Sequence, residues 1–361
     1  MPPSTSHETL SGRERVLLAL DHQEADRVPI AMVCSGINPP ARAALEAHLR
    51  ATRGVSVDAY LDPLIDIVTV APEYVGPPLA AGEDIWGVVR APVSYGDGAY
   101  DEIHHYPLGE AETPADLDAH RWPSPDWFDF SVIPGRIRAL RAVRDRAVMA
   151  TNGNLFETSW YMRGFERMLM DLVERPELAH AILRRVTDYY KAFFHRVLSA
   201  APGEIDLVFT ADDLGGQRGL LMSLPLWERT IKPYHRELND LIHDHGARVI
   251  YHSDGAIMRA VPGLIDMGID CLQALQFSAE GMDPVALKEQ YGEKLAFEGG
   301  VSVQTTLPFG TPQDVADEVR ERIRVLGRGG GYIVGPSHTI QAGTPPENVV
   351  AMFEAARGGA L

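Results

Sequence analysis

The sequence predicts a single-domain (β/α)8 barrel, an α/β fold, and three observations favour this class. Short apolar runs recur eight times along the 361 residues, helical stretches separate most of them, and polar residues or glycines follow them. Apolar strands that alternate with helices are typical of a parallel sheet covered by helices, and eight such units fit a closed barrel better than an open sheet. Strands are expected near Val28, Ile65, Ala147, Ile205, Arg248, Asp270, Leu295 and Gly331.

The helices are predicted from apolar spacing and capping residues. Residues 9–21 predict a short opening helix, because Ser11 can cap it and Glu14 completes a capping box. Further helices are expected over Ala41–Leu49, 133–146, Leu155–Leu198 with a break near Pro176, Leu226–His245, Met258–Met267, Pro284–Tyr291 and Thr311–Leu326.

The region 82–130 interrupts the alternation of strands and helices. Its aromatic residues are mixed with glycine, proline and acids and have no sustained helical period. We expect an inserted hairpin with loops that lies over one end of the core. Two interpretations stay open, a packed aromatic edge and a lid over the substrate. The aromatic residues concerned are Trp86, Tyr95, Tyr100, Tyr106, Trp122, Trp127, Phe128 and Phe130.

Composition excludes several classes of protein. The formal net charge of -17 disfavours nucleic acid as a partner, because binding to a phosphate backbone needs cationic side chains. Cys34 and Cys271 are far apart, so no disulfide framework or CxxC metal knuckle is expected. The N-terminus does not resemble a targeting segment, and no 18-residue apolar span is present. These features predict a cytoplasmic protein with no membrane partner.

Polar residues follow the predicted strands at the ends where barrel enzymes carry their active sites. The stretch Arg248–Gly255 is the clearest case, because an apolar run leads directly into His252, Asp254 and a glycine. In a barrel all such positions converge on one mouth. The residues at or just after the runs are Asn152, Asp212, Asp213, His252, Asp254, Gln276, Glu298 and His338.

Four of these residues predict a metal site. His252 and Asp254 are two apart at a strand end, so both are expected to point inward, and Glu298 and His338 could close the site from later strands. Imidazole and carboxylate suit zinc or a similar divalent ion. A hydrogen-bonded polar mouth without metal is the alternative.

The other polar residues predict catalytic and substrate-binding positions. Asp212 and Asp213 are candidates for a general acid or for orienting a substrate, although adjacent acids also commonly cap loops. Glu157 and Tyr161 lie four apart on a predicted helix and could share one face toward a pocket, or could be ordinary surface residues. We expect a substrate pocket formed by Asn152, Glu157, Tyr161 and Gln276.

Five segments, which together span residues 11–357, resemble the uroporphyrinogen decarboxylase superfamily. They are residues 11–30, Thr210–Gln217, Tyr251–Gly255, Gly299–Gln304 and Gly329–His338. The resemblance implies a (β/α)8 barrel over 11–357, preceded by an N-terminal tail at 1–10. The superfamily contains uroporphyrinogen decarboxylases and corrinoid-linked methyltransferases, so it does not define one reaction.

One departure from the superfamily's patterns favours the methyltransferase branch, and a second bears on the substrate. The decarboxylases have an arginine-rich segment that binds the carboxylates of the porphyrinogen, whereas residues 31–38 here have no arginine and Arg42 is the first to follow. Members of the methyltransferase branch share a zinc site of the form His-x-Cys with a later Cys, which this sequence resembles only in part. His252 matches the histidine, Asp254 stands at the cysteine, and His338 falls near the later cysteine. Oxygen and nitrogen ligands favour activation of an oxygen or nitrogen leaving group over binding of a thiolate.

The resemblance therefore implies a corrinoid-dependent methyltransferase. It would move a methyl group from a small methylated compound, such as an aryl methyl ether or a methylamine, to cobalamin carried by a separate corrinoid protein. An Asp-x-His-x-x-Gly cobalamin motif is absent from the chain. A homodimer is also implied. The alternatives are a carboxy-lyase acting on a small acid, which would need Arg163 or Arg218 at the mouth, and a non-catalytic barrel subunit.

Overall fold

The computed structural model describes residues 9–33, 36–94 and 99–358. Most of the predicted N-terminal tail, Cys34 and Tyr95 lie outside these residues. Within the described ranges the strands are β1 Ile67–Val70, β2 Glu73–Tyr74, β3 Val89–Ser94, β4 Ala99–His105, β5 Phe128–Asp129, β6 Ala147–Asn154, β7 Leu207–Ala211, β8 Gly215–Gly216, β9 Gly219–Leu220, β10 Arg248–His252, β11 Cys271–Ala274, β12 Ala296–Val301 and β13 Tyr332–Pro336.

Helices follow most of the longer strands. In the described ranges they are α1 Gly12–Leu20, α2 Pro39–Arg53, α3 Val57–Leu61, α4 Ile133–Val143, α5 Leu155–Arg163, α6 Phe165–Glu174, α7 Pro176–Ala200, α8 Leu224–Thr230, α9 Lys232–Asp244, α10 Val261–Asp266, α11 Pro284–Tyr291, α12 Thr306–Phe309, α13 Pro312–Leu326 and α14 Pro346–Ala356. A search of these described helices finds none with the length and apolar character that crossing a membrane requires.

Seven of the eight predicted strands form one parallel sheet, in the order β1, β6, β7, β10, β11, β12, β13. The eighth, predicted at Val28–Val33, is reduced to a single parallel bridge between Ile30 and Val334. Ile30 also accepts a hydrogen bond of 2.8 Å from the backbone N–H of Asp66, just before β1. Pro29 lacks an N–H, which limits a longer ladder at this position. The residues around Ile30 therefore connect the two outer strands of the sheet.

The longest predicted helical stretch is divided further in the structure than expected. The stretch predicted as Leu155–Leu198 forms α5, α6 and α7, and the additional break falls at Gly164, whose φ of 94° ends α5. The expected break at Pro176 is confirmed, since this residue begins α7. The predicted capping box of α1 is also confirmed, because the Ser11 side chain accepts the Glu14 N–H.

Helix α1 closes one end of the space that the sheet encloses. Its Val16, Ala19 and Leu20 pack in one apolar cluster with side chains from the parallel strands, among them Ile250 and Cys271. The opposite end, at the C-terminal ends of the strands, carries the polar residues. Core packing at one end and polar groups at the other define where a ligand can enter.

The region 82–130 contains the predicted hairpin. Strands β3 and β4 pair antiparallel, and 3-10 turns with the short strand β5 follow. Trp86 packs edge-on against Tyr189 of α7, with ring centroids 4.8 Å apart. The guanidinium of Arg90 lies over the ring of Tyr161 at 4.9 Å. Aromatic packing and contact with a predicted pocket residue thus occur in the same segment.

Three acids, each just before a strand, hold the closed end of the sheet together. Asp206 accepts the N–H of Val148 at 2.9 Å and Asp270 accepts that of Val249 at 2.7 Å, each bonding to the neighbouring strand. Asp66 accepts the N–H of Ile30 at 3.0 Å. Each carboxylate precedes one strand and accepts a backbone hydrogen bond from the adjacent strand or segment, so it fixes the register of the two.

We predict that Asp66→Asn lowers the free energy of unfolding by about 3–5 kcal/mol, because it removes the buried negative charge around which Arg27 and Arg144 pack at 2.7 and 3.1 Å. Urea unfolding followed by circular dichroism measures this loss. Asp58→Asn is the matched control, since the Asp58 side chain is 85% exposed in its pair with Arg42, and we expect it to cost about 1 kcal/mol or less. Equal losses in the two variants would contradict a structural role for the Asp66 cluster.

Candidate metal centre and active site

His252, Asp254 and His338 meet at the open end of the sheet. One ligand atom from each lies within 4.8 Å of the others, and among the described residues they form a group that could hold a metal ion. Nε2 of His338 is 3.8 Å from Oδ2 of Asp254, and the two imidazole centroids are 5.7 Å apart. His252 ends β10, whereas Asp254 and His338 lie in the loops after β10 and β13.

The three donors fit a divalent ion. Two ligand atoms that are each about 2.0–2.2 Å from zinc lie about 3.3–3.6 Å apart in tetrahedral geometry. The three atoms, which lie within 4.8 Å of one another, would need only small side-chain shifts to bind the ion. Two nitrogens with one carboxylate oxygen form a donor set typical of catalytic zinc. Three protein ligands leave a coordination position open, as catalytic sites require. His252 is buried, whereas Asp254 and His338 are partly exposed and face the entrance.

Backbone contacts hold the loop that carries Asp254. The N–H of Asp254 donates to Asp213 at 2.8 Å, and the N–H of Gly255 donates to Oε1 of Gln276 at 3.0 Å. Gly255 has a φ of 86°, and a Cβ there would lie 2.4 Å from the carbonyl carbon of Gly215. A glycine is thus required where this loop turns, which explains the sequence that follows His252.

The charges of the group are coupled. Burial lowers the pKa of His252, but the carboxylates of Asp254 and Asp213 outweigh this effect, so the pKa of His252 is raised overall. Burial raises the pKa of Asp254, and burial lowers that of His338. Nε2 of His252 lies 3.5 Å from Asp213, so this nitrogen faces the acids at the mouth.

Asp212 and Asp213 have different environments. Asp212 is fully buried and accepts the N–H groups of Phe156 and Glu157 at 2.8 and 2.7 Å, at the start of α5, as well as a contact from His235. Its carboxylate is therefore occupied in capping the helix. Asp213 is partly exposed and faces His252. Strand alternation in the sequence could have distinguished the two acids, since Asp213 comes two residues after the inward-facing Ala211 and shares its face.

Glu157 is held at the first turn of α5 beside the site. Burial and then the charges of Asp212 and Asp213 raise its pKa to about 7. Nδ2 of Asn154 donates to its carboxylate at 2.6 Å, and the Tyr161 hydroxyl donates at 3.3 Å. Glu157 and Tyr161 thus share one face, as predicted from their spacing. A carboxyl group that titrates near neutral pH can both give and accept a proton.

The other predicted pocket residues differ in position. Asn152 lies at an irregularity in the pairing of β6 with β7, where its φ is 80°, and it is exposed. Gln276 is buried, and its Nε2 donates to Gln304 at 3.0 Å. The contact of Asn154 with Glu157 was not predicted, because β6 extends two residues beyond its predicted end at Asn152. A cavity of about 220 Å³ at the mouth is lined by Asp254, Gln276, Val303, Gln304, Ser337, His338 and Gln341.

Glu298 is not brought into the group of ligand atoms. The run predicted to stop at Phe297 continues as β12 to Val301, so Glu298 lies within the strand and is fully buried. Burial raises its pKa to about 8. Gly299 and Gly300, which indicated a loop in the sequence, have φ of 98° and 89° and stay in the sheet. Glu298 is thus a buried neutral carboxyl group at neutral pH.

The two arginines considered for a lyase differ in their surroundings. Arg163 is buried, bonds to Asp171 at 2.8 Å, and donates to the carbonyls of Leu108 and Gly109. Arg218 lies exposed in the turn between β8 and β9. Arg163 is therefore committed to structure.

The comparisons with known proteins agree with this fold. A model of the uroporphyrinogen decarboxylase (URO-D) family matches residues 91–359, more than half of the chain, so the chain belongs to this family. A solved structure described as a methyltransferase from Methanosarcina mazei has a TM-score of 0.67 at 18% identity, over 97% of this chain and 99% of that one. This likeness supports the α/β barrel type of fold.

Curated relatives include both branches of the family. A methylated-thiol–coenzyme M methyltransferase of Methanosarcina mazei is 29% identical over 202 residues, which are 56% of this chain and 50% of that protein. The match thus spans half the length of that relative. A uroporphyrinogen decarboxylase of Methylococcus capsulatus is 23% identical over 247 residues, 66% of this chain and 67% of the relative. The predicted resemblance to this superfamily is confirmed.

We predict that the purified protein binds about one zinc ion per chain and that His338→Ala binds much less, because two protein ligands hold zinc poorly. Metal analysis after dialysis against a weak chelator measures this. His195→Ala removes an exposed histidine of α7 and is the matched control. Metal-free wild-type protein that is fully folded would contradict the metal centre.

We predict that Glu298→Gln makes the metal-free protein less sensitive to pH. The folded pKa of about 8 lies above the ordinary value of 4.5, so the stability that neutral Glu298 contributes is complete below pH 4.5 and is lost as pH rises through 8. The variant should gain roughly 4–5 kcal/mol relative to wild type across this window. Chemical denaturation at several pH values measures the difference. Parallel pH profiles for both proteins would show that Glu298 has no such effect.

Proposed function

We propose that this protein is a metal-assisted, corrinoid-dependent methyltransferase. It would transfer a methyl group from a small methylated substrate, such as an aryl methyl ether or a methylamine, to cobalamin carried by a separate corrinoid protein. The observation that carries the proposal is the group of His252, Asp254 and His338 at the mouth of a URO-D family fold. The similarity to a methyltransferase of Methanosarcina mazei supports the reaction class.

The donor set supports the choice of leaving group. Zinc held by these three residues would act as a Lewis acid on an oxygen or nitrogen atom of the substrate. Nitrogen and oxygen ligands make a harder site than thiolates do, and so favour an oxygen or nitrogen leaving group. The conversion of a methyl ether to an alcohol is therefore favoured over methylation of a thiol.

The acids beside the group would handle protons and orientation. Glu157, which titrates near pH 7, is suited to protonate the leaving group. Asp213 faces His252 and would orient an amine or hydroxyl, whereas Asp212 would hold α5 in place. Tyr161 and Gln276 would shape the pocket.

The charge of the mouth limits the substrate. Glu157, Asp213 and Asp254 converge there, and their potential would repel a polyanion such as a porphyrinogen. A neutral or cationic methyl donor is compatible with the same field. We therefore favour a small uncharged ether or a methylamine.

The partner would meet the barrel at its open end, because the methyl group must pass directly to cobalamin. Residues 11–357 would form the barrel that presents the substrate, and a second copy of the chain would complete a homodimer. Arg90 contacts Tyr161 from the region 82–130, so this region would border the docking face.

Decarboxylation of a small carboxylic acid is the second candidate, because uroporphyrinogen decarboxylases are among the relatives. Release of carbon dioxide without any cobalamin requirement would support it and would overturn methyl transfer. A barrel with neither activity would be a binding subunit.

The test is methyl transfer by zinc-loaded protein to free cob(I)alamin with a panel of aryl methyl ethers and methylamines. We expect methylcobalamin to form, as followed by its absorbance, together with the demethylated product. His252→Ala should lower the rate by about 100-fold or more, and His195→Ala should not change it. No turnover with any donor while zinc is bound would argue against the proposal.

A further inference from the structure

The buried row beneath the mouth consists of three polar side chains on neighbouring strands. Strand pairing places His252 opposite Gln273, and Gln273 opposite Glu298. Residues that pair directly in a parallel sheet present their side chains on the same face. Gln273 and Glu298 are completely buried, and His252 is nearly so. Three polar groups therefore share one enclosed layer.

The layer lies above an apolar one. Ile250, Cys271 and Ala296, two residues earlier on the same strands, belong to the apolar cluster that α1 closes. Because this layer is enclosed between the apolar layer and the mouth, its polar groups must form their hydrogen bonds mainly with one another. The cost of leaving one buried group without a partner is about 1–3 kcal/mol.

One contact in the layer is formed. Nδ1 of His252 lies in hydrogen-bond contact with Oε1 of Gln273. An amide oxygen only accepts, so Nδ1 must carry the proton. The other ring nitrogen, Nε2, is directed toward Asp213 and the mouth. This arrangement leaves Nε2 as the atom that can bind a metal ion.

The second pair in the row is Gln273 with Glu298, which the register of β11 and β12 places side by side. Nε2 of Gln273 and both carboxyl oxygens of Glu298 lack hydrogen-bond partners among the described residues. After the dominant effect of burial, which raises the pKa of Glu298, interaction with Gln273 is the largest effect that lowers it. An amide donor without a partner and a buried carboxyl group thus lie side by side on one pair of strands.

Gly335 leaves room for the carboxyl group. A Cβ at this position would lie 2.9 Å from Oε1 of Glu298 and 2.3 Å from the carbonyl oxygen of Ala31. A larger side chain on β13 would therefore occupy the space that Glu298 fills. The space for the Glu298 carboxyl group therefore depends on the backbone positions of β12 and β13.

We propose that Gln273 and Glu298 are positioning residues that fix the ring of His252 through a relay. In this relay the Nδ1 proton of His252 is donated to Oε1 of Gln273, and Nε2 of Gln273 donates to Glu298. The relay holds Nε2 of His252 toward the mouth in the form that binds a metal ion. The inference rests on the proposed function in that it takes His252 as a ligand, and it assigns Glu298 to the support of that ligand.

The opposite orientation of the Gln273 amide predicts a different tautomer of His252. If the Gln273 amide were turned over, its nitrogen would donate to Nδ1 of His252, and a protonated Glu298 would donate to its oxygen. The proton of neutral His252 would then lie on Nε2, which could not bind a metal ion without losing it. The two arrangements differ in the tautomer of one histidine.

The first experiment is nuclear magnetic resonance of histidine-labelled, metal-free protein, at a pH where His252 is neutral. We expect nitrogen shifts of the Nδ1–H tautomer for His252 in wild type, identified by the signal that His252→Ala loses. Gln273→Leu should give a mixture of tautomers. The Nε2–H tautomer in wild type would overturn the relay, whether or not the protein transfers methyl groups.

The second experiment is zinc titration against a chromophoric chelator. Gln273→Leu and Glu298→Leu should weaken zinc binding by about 10- to 100-fold, because supporting groups of this kind contribute that much to affinity. Glu298→Gln should bind zinc like wild type, since its amide oxygen still accepts from Gln273. Tight binding in both leucine variants would overturn the relay.

Asn239→Leu is the matched control. Asn239 is also completely buried, on α9, and donates to the carbonyl of Met267 at 3.1 Å, outside the row. It should lose stability without loss of zinc affinity. Equal loss of affinity in Asn239→Leu and Gln273→Leu would show a general effect of removing a buried amide and would overturn the specific role. Wild-type protein that binds no zinc would instead contradict the proposed function, and the tautomer measurement would still decide the relay.

Discussion

The register of the parallel strands is the constraint on which the candidate site depends. Because His252, Gln273 and Glu298 are paired in sequence along β10, β11 and β12, their side chains face one another. A slip of one residue in any pair would turn a side chain to the opposite face. Asp270 bonds across the other end of the β10 and β11 pair and holds that register, as Asp206 does between β6 and β7. The strand register that the closed end stabilises is therefore the same register that aligns the side chains at the open end.

Solvation divides the polar residues into two layers with different electrostatics. Asp213, Asp254 and His338 are partly exposed, so water and a bound ion can compensate their charge. Below them Gln273 and Glu298 are enclosed, and a charge there has no such compensation. The lower layer is consequently neutral and directional, and the upper layer is charged and open to ligands. His252 joins the two layers, since Nδ1 of its ring contacts Gln273 and Nε2 faces Asp213.

Helix caps contribute to the site as much as the strands do. Asp212 follows β7 but caps α5, and this contact places Glu157 and Tyr161 beside the mouth. The neighbouring Asp213 points into the site instead. Adjacent acids at a strand end thus serve structure and chemistry separately, because successive side chains alternate between the helical layer and the interior.

The sequence by itself determined the α/β class of the fold, seven of the eight predicted strands and the pairing of His252 with Asp254, because apolar periodicity and strand alternation are local properties. It placed Glu298 just beyond a strand, although the sheet extends through this residue and the two glycines that follow. Only the tertiary structure decided that His338, and not Glu298, joins the pair and that Gln273 contacts His252. Those relations depend on strand order, register and burial, which residues distant in sequence establish when they pack together.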